Sequence, residues 1–286
     1  MLHRGSLLAT YTARVRVGVL LAGPAGDGGF VDGALEAVAG ATAAGADIDL
    51  RHGAPELPDP SWDAVVCHGI QHLDWVRRHR TTYRRIVLTD RPPTRDGLEG
   101  VTLVDWCWDQ AGYCAGAFAA TLAGGDPIGL IAGPPVLTQR RMASAYAAGA
   151  MSARGGPVMV HHLTTFEDRA GGESSGKLLA GPGGCAVVAH SADAAGAAGC
   201  ASARKHGAAT VGFLGSLDDH VAFVRSDIAG VVGEILRRLH GDEELPAVLA
   251  CGLDSGYLDL MLAEGSPPEL HQAVERAKAD VRAGVL

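Results

Sequence analysis

The sequence predicts two doubly wound α/β lobes with a ligand cleft between them. Three observations carry that prediction. Short, continuous apolar runs alternate with amphipathic segments along nearly the whole chain, the pattern of parallel strands covered by helices on both faces. The alternation falls into two successive series, and 286 residues suit two α/β lobes better than one typical domain. Glycine, at 40 residues, is frequent enough to supply many tight βα turns.

In the first series, strands are predicted at 15–21, 64–67, 85–89 and 101–104, with helices at 33–44, 73–79 and 112–122. The second series has strands at 128–131, 158–161, 186–189 and 210–214. Its helices are predicted at 139–153, 174–180, 194–206 and 221–239. Gly124-Gly125-Asp126-Pro127 reads as the first crossover between lobes, and 218–220 as a return. Lobe 1 is accordingly expected to hold 1–123 and 241–286, and lobe 2 to hold 124–240. A mobile turn is expected at 171–176 and a surface loop at 92–97.

Composition narrows the function classes. Hydrophobic residues make up 47% of the chain, enough for a sizeable core. The net charge of −8, with no concentrated basic patch, argues against a nucleic-acid or anionic-membrane partner. No apolar run is long enough to span a bilayer, so no membrane insertion is expected. The six cysteines form no CxxC pair and several lie in apolar runs, as reduced core thiols do. No metal and no cofactor is expected. The segment 1–14 has too short and too polar an apolar stretch for a secretory signal, and no cysteine for a lipid. Cytoplasmic localisation is the expectation.

Six residues stand at or just past the carboxyl ends of predicted strands, where open α/β sheets bind ligands. Asp27 and Phe30 follow the first strand across a Gly/Pro turn. A carboxylate can accept two hydroxyl hydrogen bonds, and an aromatic face can stack on a flat ring. Asp27 as a helix cap and Phe30 as core are the structural alternatives. His68 ends its strand, and His72, four residues on, would share its face on a helix. Trp106 and Trp108, one residue apart, would point opposite ways in an extended chain, one toward the cleft. Asp109 either caps the next helix or meets ligand, and His190 ends the strand at 186–189. His161-His162 and Arg140-Arg141 read as surface groups.

The order of these motifs resembles the basic membrane protein family, the nucleoside-binding members of the type I periplasmic-binding-protein fold. The resemblance rests on Asp27-x-x-Phe30, on Tyr83 through Asp90 and on Val104 through Gly116. It continues at Ile128-Gly-Leu-Ile-Ala-Gly133 and at Gly184 through His190. It implies two lobes closing on a nucleoside-like or purine-like ligand held by Asp27, Phe30, His68, Trp106, Asp109 and His190. A transporter or a regulatory protein would be the partner. The chain also departs from the family. Val31 replaces an Asn, and Ser191-Ala-Asp193-Ala-Ala-Gly196 replaces a glycine-rich turn, keeping Gly196. Leu214 stands where the family has a ribose-binding Asp, and Arg225 lies beside the place of an expected Lys.

Two function classes remain open. One is a small-molecule-binding protein whose closure is the output. The other is an enzyme that reuses the cleft to hydrolyse an N-glycosidic bond, with Asp27, His68, Asp109 and His190 as its candidate catalytic groups.

Overall fold

The computed structural model describes residues 15–214 and 217–286. The expectations placed on 1–14 lie outside the described residues. Two compact units share the chain. The first holds residues 15–26, Val31–Asp105 and Asp227–Ala250; the second holds Asp27–Phe30, Trp106–Ser226 and Cys251–Leu286.

Each unit is built on one six-stranded sheet. The first sheet comprises β1 (Arg16–Leu21), β2 (Asp47–His52), β3 (Ala64–His68), β4 (Arg85–Leu88), β5 (Val101–Asp105) and β11 (Val248–Ala250), in the order β11-β5-β4-β3-β1-β2. All of its pairings are parallel. The second sheet comprises β6 (Ile128–Ala132), β7 (Val158–His162), β8 (Val187–Ser191), β9 (Ala209–Phe213), β10 (Ala222–Ser226) and β12 (Leu258–Leu262), in the order β12-β10-β9-β8-β6-β7. Its last pairing, β10 with β12, is antiparallel. Both sheets reverse direction of build beside their first strand, so each has a switch point: Leu21 beside His68 in one and Ala132 beside Ser191 in the other. Ligands of doubly wound sheets bind outside the strand carboxyl ends at such points.

The apolar runs form strands because both faces are covered. Leu130 and Val187 face a core shared with helices α3 (Trp108–Ala123), α4 (Leu137–Ser152) and α8 (Pro268–Arg282). Their chain neighbours Ile131 and Val188 face the opposite core, under α5 (Arg169–Ala180) and α6 (Asp193–Lys205). In the first unit Leu20, Val65, Ile86 and Leu103 pack with Trp62, Trp75 and Tyr83.

Several elements differ from expectation. The segment expected as one helix over 221–239 is a strand, β10, followed by α7 (Ile228–His240). The break falls at Asp227, whose carboxylate accepts from the Gly230 N–H at 2.8 Å and caps α7. Residues 171–176 are not a turn but lie inside α5, capped by Asp168, which accepts from the Gly171 N–H at 2.9 Å. Asp47–His52, with its alternating Asp-Ile-Asp-Leu pattern, forms the edge strand β2.

The unit boundaries also fall elsewhere than expected. Gly124 ends α3 in a left-handed C-cap, and β6 follows in the same unit. The chain leaves the first unit at Asp105–Trp106 and returns at Asp227, whereas 217–220 only links β9 to β10. Of the C-terminal stretch, β11 joins the first sheet, while β12 and α8 belong to the second unit.

Helix α3 joins the second unit because glycine lets its backbone meet that of α4. A Cβ at Gly116 would strike the Tyr146 carbonyl oxygen, one at Gly149 the Tyr113 carbonyl, and one at Gly112 the Met142 carbonyl at 2.6 Å. Helices α5 and α6 meet the same way, Gly172 against Ala195 and Gly176 against Gly199. These neighbours are backbone and cannot swing aside. Gly116→Ala is therefore expected to lower unfolding stability by about 1–3 kcal/mol, the usual cost of overpacking. Gly40→Ala, on the open face of α1 (Phe30–Ala43) with nothing near its Cβ, should instead raise it by about 0.4–1 kcal/mol. Urea denaturation midpoints of the two variants measure both effects.

Candidate functional site

In the second unit, the segment after β1 and the carboxyl ends of β8 and β9 converge with the start of α3. Phe30, the first residue of α1, meets Trp106 edge-on, with centroids 5.7 Å apart. Trp106 stacks on Trp108 at 5.7 Å and 17°. Trp108 in turn meets Phe213, the last residue of β9, at 5.0 Å and 65°. The expected divergence of the two tryptophans does not occur. Cys107 between them is left-handed (φ 51°), which swings both indoles to one side. Trp106 is buried, while Phe30 and Trp108 are half-buried.

Asp27 sits three residues before Phe30 and is half-buried. Its Oδ1 accepts from the Gly29 N–H at 2.9 Å, closing a local turn two residues on. Gly29 lies against Leu214, where an added Cβ would come within 2.8 Å of the Leu214 Cβ. Leu214 is itself left-handed (φ 48°).

The residue that sequence reasoning passed over is Asp193. It opens α6 just past β8 with φ 40°, and its residue surface is half-buried. Burial pushes its carboxyl up to about 7, and Asp27 and then Glu167 add repulsion in the same direction. The signal was present: an acidic residue at a strand-to-helix turn, the pattern that singled out Asp27. Among the described residues, three of the five non-glycine residues with positive φ, Cys107, Asp193 and Leu214, lie in these strand-end turns. The other two, Arg154 and Asp242, follow helix ends. Backbone strain of this kind persists where surrounding packing over-determines it, and it concentrates at ligand sites.

Asp109, in the first turn of α3, is ion-paired with Arg141 of α4, and its Oδ1 accepts from the Gln110 N–H at 3.1 Å. Arg141, expected on a solvated face, is thus tied to the site by the α3–α4 packing. Gln139 braces the neighbouring turns: its Oε1 accepts from the Gly133 N–H at 3.1 Å and from the Ser191 hydroxyl at 2.7 Å.

His190 is buried inside the unit, 3% exposed. Its Nε2 accepts from the Phe213 N–H at 3.2 Å, which leaves the ring proton on Nδ1. Burial, with some repulsion from His220, lowers its pKa to about 3, so it holds no extra proton to give at neutral pH. Gly196 makes room for the imidazole, since a Cβ there would strike Nδ1.

His68 belongs to the first unit. It is fully buried at the end of β3, hydrogen-bonded through Nδ1 to the Thr89 hydroxyl at 2.7 Å. His72 does not share a helix with it but lies in a 3-10 turn, Ile70–His72. Among the described residues no group of three metal-ligating side chains occurs. The first unit has its own perturbed carboxyl. Burial, helped by repulsion from Asp105, pushes Asp90 up to about 7 at the end of β4, and Arg91 pairs with Asp105 at 2.6 Å. Thus Asp27, Phe30, Trp106, Asp109 and His190 fall in the second unit and His68 in the first.

With the fold and these turns in view, comparison with solved structures identifies the architecture. A solute-binding protein of an ABC transporter system from Aeropyrum pernix K1 superposes with a TM-score of 0.79 at 17% identity, covering 94% of this chain and 92% of that one. The fold is that of the solute-binding proteins. A transcriptional activator of the comK gene from Bacillus halodurans matches at 0.74 and 16% identity, over 93% of this chain and 96% of that one. A periplasmic solute-binding protein from Actinobacillus succinogenes 130z, solved with bound D-allose, matches at 0.70 and 10% identity, over 91% and 99%. No family model matches the chain, and no curated protein matches it. Among the described residues, no helix is long and apolar enough to cross a membrane.

The raised pKa of Asp193 has a signed consequence. A carboxyl whose folded pKa lies above its unfolded value near 4 stabilises the fold at low pH. That contribution is lost as pH rises through the folded value, here about 7. The buried His72 and His190 and the half-buried His220, whose pKa values are lowered, act oppositely over part of this range. A difference between variant and wild type isolates the carboxyl. Asp193→Asn is expected to leave the thermal midpoint unchanged near pH 4 and to raise it above wild type near pH 8. Melting curves of both proteins across that range test the sign.

Proposed function

We propose that the chain is a binding protein for a small polar solute that carries a ring, taken up at the strand-end turns of the second unit. One observation carries this reading: the contiguous row Phe30, Trp106, Trp108 and Phe213 at the strand-end turns, with the carboxylate of Asp27 three residues before its first ring. Carboxylates accept hydroxyl hydrogen bonds, and aromatic faces take a ring. The fold supports the same class.

Within that class a nucleoside-like ligand is the finer reading, supported by the Asp27-x-x-Phe30 element and the motif order. Sugars are the competitor, because solved neighbours carry D-allose and D-fucose. The partner would be a transporter or a regulator, and the neighbours include proteins described in each way.

A second reading, hydrolysis of an N-glycosidic bond, is favoured by one feature. Asp193, its carboxyl pushed up by burial to about 7, retains a proton over much of the range below neutrality, as a general acid for such a step must. His190 does not supply the acid, being neutral and committed to the Phe213 N–H.

Calorimetric titration with a panel of nucleosides, bases and hexoses, followed by chromatography for released base, tests both readings. Heat of binding with intact ligand supports a binding protein; free base supports the hydrolase. Asp27→Ala is expected to weaken the bound ligand about tenfold to a hundredfold, the loss of a charge-assisted hydrogen bond. If Asp27 serves only the turn at Gly29, the same variant loses about 1 kcal/mol of stability and no affinity.

A further inference from the structure

Four strands stand at the edges of the two sheets, and three of them are guarded. β2 carries Asp47, Asp49 and Arg51 along its length, β11 is three residues long, and β12 carries Asp259, paired with Lys278 of α8 at 2.8 Å. Charge and brevity of this kind keep an edge from pairing with another chain. β7 has neither. Its sequence, Val158-Met159-Val160-His161-His162, holds no proline, no lysine and no acidic residue. Its register with β6 fixes which backbone groups are already paired. The Pro157 carbonyl accepts from the Ile128 N–H, and the Leu163 N–H donates to the Ala132 carbonyl, both at 2.9 Å. A parallel ladder alternates, so Met159 and His161 also turn their backbone groups to β6, while those of Val158, Val160 and His162 point outward. Among the described residues, no strand lies on that outer side.

The side chains along this edge are apolar and open. Met159 is 37% exposed and Val160 40%. Leu178, 47% exposed, stands on the flank of α5 turned away from the α6 seam that takes Gly172 and Gly176. The strand is also held in place beforehand. His161 Nδ1 is hydrogen-bonded to the Ser175 hydroxyl at 2.7 Å, and His162 Nδ1 to the Gly133 carbonyl at 2.9 Å, so pairing would order little more. We propose that β7 pairs with β7 of a second copy of this chain, antiparallel and about a two-fold axis at Val160. In that register Val160 meets Val160 and Val158 meets His162, each pair exchanging both backbone bonds, so every outward group of the strand is used. That two-fold match favours a copy over an unrelated strand. Charge favours it too. The chain has a net charge of −8, so copies repel one another in general, but this strand presents no carboxylate and meets its equal. Pairing does not depend on the solute bound.

Sedimentation velocity of the full chain at about 100 µM, where even a weak interface is occupied, tests the pairing. Wild type is expected to sediment as a dimer. Val160→Lys and Val160→Glu each bring like charges together on the axis and are expected to sediment as monomers, with far-UV circular dichroism like that of wild type. An equimolar mixture of the two variants sets lysine opposite glutamate and should restore the dimer. Should the strand variants fail to fold, Leu178→Glu, on a helix surface, is expected to weaken the dimer by at least about tenfold. Wild type that stays monomeric at this concentration overturns the proposal. So does a dimer that survives the folded Val160 variants, or Leu178→Glu in their place, and so does a mixture that remains monomeric.

Discussion

Backbone-to-backbone contact between helices governs the second unit. Helix α3 carries glycine at 112 and 116, and α4 carries it at 149, each facing a carbonyl oxygen of the other helix. That approach excludes any side chain from the seam and fixes the rotation of α3 about its own axis. The start of α3 inherits this setting: Trp108 meets Phe213, and Asp109 meets Arg141 on α4. The α5–α6 seam, with Gly172, Gly176 and Gly199, sets the first turn of α6 in the same way and with it Asp193. Two helix pairs thus orient most of the groups that give the strand-end turns their chemistry.

The polar groups of the site fall into two kinds. Some are satisfied inside the protein: Gln139 joins the turns after β6 and β8, and Asp109 holds Arg141. These make the turns rigid. Asp193 is the other kind, an acid surrounded by acids on a left-handed backbone.

The sheet cores were legible in the sequence because buried parallel strands are continuous apolar runs, as in Ile128–Ala132, where every residue is buried. Strand β10 was not, because Ala222–Ser226 runs into a strongly amphipathic helix with only Asp227 between them. The edge strand β2 was hidden by its charged alternation, and β11 by its three-residue length. At the candidate site, the strand-end placement of Asp27, Phe30 and Trp106 was legible because a strand, a turn and a helix set it whatever the tertiary packing. The stacking of Trp106 on Trp108 could not, since it depends on one left-handed residue, Cys107. The pairing of Asp109 with Arg141 could not either, because it joins helices 32 residues apart along the chain. His190 shows the converse: strand position located it, but its ring turned inward to a backbone N–H.

The tryptophans divide evenly between the two units, and the division makes the molecule optically addressable. Trp62 and Trp75 belong to the first unit, each near Tyr83 and each with its indole N–H donated, to Asp49 and to the Pro55 carbonyl. Trp106 and Trp108 form a near-parallel stack in the second. Two indoles so arranged couple their electronic transitions and produce a paired signal in circular dichroism, of a kind that isolated indoles lack. The stack is therefore a native chromophore of the proposed site. The paired signal carries information about Cys107, Phe30 and Phe213, to which the separated indoles of Trp62 and Trp75 in the other sheet contribute no such pairing.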